Sequence, residues 1–250
     1  MRTKIGLSIL FIMGVKTVFA QKQTQKLQQI WTSYSNQTRF SNRWGVWFDV
    51  HLRTKDDFVE DLSQLIIRPA ITYYVNDATK LSAGYAYIRI YPVDGHTKVT
   101  QPEHRPWQQL QWHTKYGRNR TMQWLRLEER FRRKIQNDST LADGYGFNFR
   151  MRYNILWQIP LSSQIKKGAF SFILNDELHI NFGKQITYNY FDQNRFFLGF
   201  AYHTNEKDNL QFGYQNVFQQ LQAGNRYRSI DAARVSYFHN MDLRKKKGNQ

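Results

Sequence analysis

Residues 146 to 157 read Gly-Phe-Asn-Phe-Arg-Met-Arg-Tyr-Asn-Ile-Leu-Trp, and this stretch constrains the fold more than any other. Phe147, Phe149, Met151 and Tyr153 share one phase; Gly146, Asn148, Arg150, Arg152 and Asn154 share the other. In a strand, alternate side chains point to opposite faces. This strand therefore has one apolar face and one face that carries two guanidiniums. A sheet with lipid on its apolar side and polar groups enclosed on the other is the transmembrane β-barrel arrangement.

The same alternation recurs along the chain. Trp44, Val46, Phe48, Val50 and Leu52 alternate with Arg43, Gly45, Trp47, Asp49, His51 and Arg53. Leu65, Ile67, Ile71 and Tyr73 oppose Gln64, Ile66, Arg68, Ala70 and Thr72, and Pro69 predicts a local break because it lacks a ladder donor. Leu125, Leu127 and Phe131 oppose Trp124, Arg126, Glu128, Arg130 and Arg132, with Glu129 an exception expected near a membrane edge. Phe170, Phe172, Leu174, Leu178 and Ile180 oppose Ser171, Asn175, Glu177 and His179, with Asp176 a second exception. Phe196, Leu198, Phe200 and Tyr202 oppose Arg195, Gly199 and His203; Ala233, Val235 and Tyr237 oppose Ala232, Arg234 and Ser236. In 81–91, tyrosines hold one phase and isoleucines the other. Arg89 lies on the tyrosine phase, which places Ala86, Ile88 and Ile90 on the lipid side.

The ends fit export. Arg2 and Lys4 precede an apolar run from Ile5 to Val15, and Val18-Phe19-Ala20 offers a cleavage site before Gln21, so 1–20 reads as a signal peptide. An N-terminal anchor is the alternative, but the run falls short of the roughly 20 residues of a spanning helix, as does every later segment. Residues 21–28 are expected as a disordered leader, 29–243 as the barrel and 244–250 as a basic tail. Losing Arg2, Lys4 and Lys16 lowers the net charge from +17 to +14. There is no cysteine, hence no disulfide framework. Mean hydropathy is −0.68 although 16% of the residues are aromatic. A barrel with a polar lumen reconciles the two values.

Short turns are expected near 76–78, 117–119 and 205–208. Longer links are expected near 55–59, 92–104, 136–141, 183–193 and 221–227. Short periplasmic turns and long outer loops would send the strand at 43–53 outward and the last strand inward. Counting from 43–53 gives about ten strands; Ile30–Phe40 also reads as β, so the expectation is an all-β, antiparallel up-and-down transmembrane barrel of roughly ten to twelve strands.

With the export signal, the Trp44-to-Arg53 strand, Arg-Pro-Trp-Gln-Gln at 105–109 and Leu-Arg-Leu-Glu-Glu-Arg-Phe-Arg at 125–132, the chain resembles the family catalogued as domain of unknown function 2490. The resemblance covers essentially the whole mature chain. It implies an outer-membrane barrel and supplies no catalytic residue or ligand. The tail from Arg244 to Gln250 departs from the terminal aromatic of barrel proteins in general.

The strongest candidate constellation is the inward row Arg126, Glu128, Arg130 and Arg132 beside Arg150 and Arg152, on strands about 4.8 Å apart. It reads as a charge network that fills a narrow lumen, or as an anion-selective passage or acidic-ligand site. Phe147, Phe149, Met151, Tyr153, Phe196, Leu198 and Phe200 are the expected lipid-facing residues. Glu177 with His179, and Asp49 with His51, share faces suited to acid–base or metal chemistry or to ordinary hydrogen bonding. No histidine is followed two places later by serine, as in lipid hydrolases built on barrel strands, and no zinc spacing or phosphate loop occurs. No catalytic residue, metal or cofactor is expected. The expected role is a structural or narrow passive pore in the outer membrane; a barrel enzyme acting on envelope lipids and a secreted soluble barrel binding an apolar ligand are the alternatives. Expected partners are outer-membrane lipid, lipopolysaccharide and the barrel-assembly machinery. A monomer is expected, without nucleic acid, because the arginines are spread over many strands.

Overall fold

The computed structural model describes residues 22–59, 61–92 and 98–244. Residues 1–21, with the expected signal peptide, and 245–250 of the basic tail lie outside the described residues. Eleven strands make up the fold: β1 (Gln23–Arg39), β2 (Trp44–Thr54), β3 (Leu62–Tyr74), β4 (Thr79–Ile90), β5 (Gln101–Tyr116), β6 (Asn119–Asn137), β7 (Thr140–Pro160), β8 (Phe170–Phe182), β9 (Phe191–His203), β10 (Asn209–Gln220) and β11 (Arg226–Asp242). Each strand pairs with the next in sequence, and β11 pairs with β1 to close a barrel without an edge.

The closure differs from the all-antiparallel expectation. Neighbouring strands are antiparallel, but β1 and β11 run parallel from Gln23↔Arg226 to Arg39↔Asp242. With an odd number of up-and-down strands the first and last point the same way, so the seam has to be parallel. The count of eleven falls inside the expected range, and residues 30–39 of the stretch that also reads as β belong to β1.

Three further expectations are corrected. Residues 23–28 are not a disordered leader but the start of β1. Backbone pairing with β11 needs no apolar side chain, and Leu27 anchors the segment against Val217 and Ile230. Residues 136–141 are not a long link. Strands of 19 and 21 residues run to a two-residue turn there, where the Asn137 side chain accepts hydrogen bonds from the backbone N–H groups of Ser139 and Thr140. Finally, Ala86, Ile88 and Ile90 face inward, not outward. Ala86 and Ile88 are 1% exposed and pack with Ile66 and Trp107, while Tyr85 is exposed outside. Pro69 interrupts pairing with β4, as expected, without shifting the register on either side.

The connections 40–43, 75–78, 117–118, 161–169 and 204–208 gather at one rim, and 55–59, 91–92, 98–100, 138–139, 183–190 and 221–225 at the other. The outer wall carries rows of exposed large apolar residues. Phe196, Leu198, Phe200 and Tyr153 are all exposed, while Phe147, Phe149 and Met151 share the outward phase and are half-buried by neighbouring rings. Phe131, Phe147, Phe149 and Phe182 form a continuous aromatic ladder with centroid separations of 4.8, 4.8 and 5.3 Å.

Large side chains pack into part of the lumen. Trp107, Phe197, Ile88, Ile173 and Val217 point inward and are each at most 1% exposed. Glycine makes this packing possible at Gly84, where an added Cβ would lie 2.7 Å from the Trp107 ring and 2.6 Å from the Ala70 Cβ. A barrel of eleven strands is only a little wider than one whose side chains fill it.

Candidate functional site

A belt of charge crosses the lumen. Ten arginines (Arg53, Arg68, Arg105, Arg126, Arg130, Arg132, Arg150, Arg152, Arg195 and Arg234) surround five carboxylates (Asp49, Glu103, Glu128, Glu177 and Asp192). β-Strand alternation aims each of these arginines inward, because its sequence neighbours lie on the outer wall.

Glu128 is the hub. It is fully buried and accepts from Arg150 Nη2 at 2.5 Å and from Arg152 Nη1 at 2.6 Å. Arg105 Nη1 and Arg126 Nη1 stand 3.3 and 3.8 Å away. Glu103, also fully buried, accepts from Arg130 Nε at 3.0 Å and Arg132 Nε at 2.7 Å, and from Arg105. Asp192 accepts from Arg150 Nη1 at 2.8 Å, and Glu177 from Arg152 Nε at 2.7 Å. The six residues expected as a charge network, Arg126, Glu128, Arg130, Arg132, Arg150 and Arg152, therefore do meet. Glu103 on β5 and Asp192 on β9 tie their arginines into one network. Such buried pairs are short and charge-assisted, and together they roughly offset the desolvation of their ions.

Arg126 is held differently. Its Nε donates to Gln109 Oε1 at 2.8 Å, and its guanidinium lies 4.2, 4.9 and 5.5 Å from the rings of Trp107, Trp124 and Trp47. Three indole faces thus compensate part of its charge. Its Nη1 is buried without a hydrogen-bond partner.

The two candidate acid–base pairs are absorbed into the network. Asp49 accepts from Arg68 Nε with both oxygens, at 3.0 Å each, and lies 3.2 Å from His51 Nε2. Glu177 is 3.0 Å from His179 Nε2 but is engaged by Arg152, and His179 is fully buried. One pair escaped the sequence reading: Ser171 Oγ on β8 lies 2.9 Å from His203 Nε2 on β9. A search for His-x-Ser on one strand cannot find a pair that meets across two. No hydrogen bond or ion pair to a carboxylate orients His203 among the described residues, and Ser171 is 0% exposed, so this is a nucleophile–base contact without an orienting acid or an approach.

Comparison with known proteins bears on this architecture. The family model described as "Protein of unknown function (DUF2490)" matches residues 28–228, which spans β1 to the start of β11 and so the whole charge belt apart from Arg234. The chain belongs to the DUF2490 family. An uncharacterised protein of Methylorubrum extorquens is 27% identical over 168 residues, covering 66% of this chain and 68% of the relative. No solved structure matches. Within this DUF2490 chain, the residues Arg-Pro-Trp-Gln-Gln at 105–109 have concrete places: Arg105 bridges Glu103 and Glu128, Trp107 supports Arg126, and Gln109 accepts from it.

Proposed function

We propose that this chain is an outer-membrane β-barrel whose lumen is closed at mid-depth by the arginine–carboxylate network, so that it serves as a non-conducting barrel and not as an open pore. The observation that carries the reading is the inversion of the fold. Every ion of the belt is turned inward, while Phe196, Leu198, Phe200 and their neighbours are exposed on the outer wall. Soluble monomers rarely expose contiguous apolar patches larger than roughly 600 Å². A hydrocarbon solvent removes that cost, and a barrel satisfies every backbone donor and acceptor while doing so. The closed state rests on Glu103, Glu128, Trp107 and Phe197, all buried from solvent.

The test has two arms. Cell fractionation is expected to leave the protein in the outer-membrane fraction until detergent is added; recovery from the periplasm without detergent would count against the membrane reading. Planar-bilayer recordings of the inserted protein are expected to show no steady conductance. Stable channels in the wild type would refute the closed lumen.

A further inference from the structure

The charge belt is not balanced, and the imbalance is localised. Arg105, Arg130, Arg150 and Arg152 each reach a carboxylate within hydrogen-bond distance. Arg53 on β2, Arg195 on β9 and Arg234 on β11 do not. Arg53 donates from Nη1 to the neutral Gln64 Oε1 at 2.9 Å. Arg234 donates to the neutral Gln215 and Gln211 side chains at 3.2 and 3.0 Å. Arg195 donates from Nε to Gln193 at 3.2 Å, and its nearest carboxylate oxygen, on Glu177, is 3.9 Å from Nη1 and already engaged by Arg152.

Two of these arginines flank Trp31, and the third, Arg234, lies beside it with its guanidinium 3.4 Å from the Phe197 ring. The Arg53 and Arg195 guanidiniums lie 3.8 and 5.3 Å from its ring, and Arg234 is directly opposite Trp31 across the parallel seam. The Nε groups of Arg53 and Arg234 are buried without a hydrogen-bond partner. An arginine cannot shed its proton to escape burial, as a lysine can. Like charges gathered in the lumen, with donor N–H groups left open, call for a counter-charge that the described residues do not supply.

We propose that Arg53, Arg195 and Arg234 form a binding site for a small oxyanion of the phosphate class inside the lumen. Planar guanidiniums present paired N–H donors that match the oxygens of such an anion, and Trp31 supports two of them from the side. The glutamine oxygens now facing Arg53 and Arg234 act as placeholders that an anionic oxygen would displace. The site belongs to the folded barrel and does not depend on the membrane reading.

The experiment uses the purified full-length protein, in detergent micelles where required, with inorganic phosphate as the probe and chloride at matched ionic strength as the control. Phosphate is expected to raise the melting temperature by at least about 3 °C at saturation, and titration calorimetry is expected to show binding. Arg53→Gln and Arg234→Gln are each expected to weaken that binding at least about tenfold. Without phosphate, the same variants are expected to melt at or above the wild-type temperature, because a half-buried charge without a carboxylate partner is gone. That readout separates a ligand site from a structural role. No phosphate binding by the wild type, binding that the variants leave intact, or variants that melt lower than wild type without phosphate would each overturn the proposal. Arg118→Gln, in the exposed 117–118 turn at the opposite rim, serves as the control that should leave phosphate binding unchanged.

Discussion

Glu128→Gln is the sharpest perturbation of the network. The carboxylate is fully buried and receives Arg150 and Arg152 at 2.5 and 2.6 Å, with Arg105 and Arg126 at 3.3 and 3.8 Å. The amide keeps the shape and one acceptor, but removes the charge and turns an N–H₂ group toward a guanidinium. Breaking a buried pair by neutralising one partner costs about 3–5 kcal/mol, because the surviving ion stays buried. Here Arg150 and Arg152 keep Asp192 and Glu177, which places the expected loss near the lower end, at about 3 kcal/mol. That is roughly a hundredfold shift in the unfolding equilibrium. Arg132→Gln gives the internal comparison. Its side chain is 38% exposed at the rim, so its loss is expected to cost no more than about 1 kcal/mol. Urea unfolding in detergent micelles, followed by tryptophan fluorescence, measures both. A Glu128→Gln variant within about 0.5 kcal/mol of wild type would refute the claim that the network holds the lumen together.

Other outcomes follow from the same geometry. Gly84→Ala is expected to destabilise by about 1–3 kcal/mol, since its Cβ would meet Ala70 and Trp107 inside van der Waals distance; an unchanged urea midpoint would contradict that packing. Phe200→Arg on the outer wall is expected to cost about 2–4 kcal/mol in lipid vesicles, and a soluble barrel would tolerate it nearly free of cost. Ser33→Cys with Ser236→Cys is expected to cross-link spontaneously on oxidation, because the two hydroxyls lie 2.7 Å apart across the parallel seam and the described chain has no competing thiol; a failure to cross-link would argue against closure through β1 and β11. Ile88→Cys is expected to resist thiol reagents in the folded protein, and rapid labelling would reverse the inward assignment of that face.

The inside and outside of most strands were legible in the residues alone, wherever charge marked the inner face. On β7 the alternation of Arg150 and Arg152 with Phe149, Met151 and Tyr153 leaves one choice. On β4 the rule fails, because the lumen there is apolar: Ala86 and Ile88 pack on Trp107, and the tyrosines go outside with Arg89 toward the rim. The first half of β1 is hidden for a different reason. Gln23 to Gln28 carry almost no apolar signal, and what makes them a strand is backbone pairing with β11, which no local pattern reveals. At the site, the rows on β6 and β7 were visible as neighbours. Glu103 lay in a stretch that reads as a link, and Asp192 just beyond a strand end. Which arginine meets which carboxylate across the lumen depends on the stagger of the closed barrel, and a linear pattern does not carry that.

In the proposed membrane barrel the ions are enclosed and the aromatics face lipid. Spin-label accessibility along β9 tests it most directly. Single cysteines at Phe196, Phe197, Leu198 and Phe200 would be labelled under denaturing conditions and the protein refolded into vesicles. Positions 196, 198 and 200 are expected to show high collision rates with oxygen and low rates with a water-soluble nickel chelate. Position 197 should be shielded from both. Free access of the nickel chelate at 196, 198 and 200 would place that wall in water and rule out the membrane barrel.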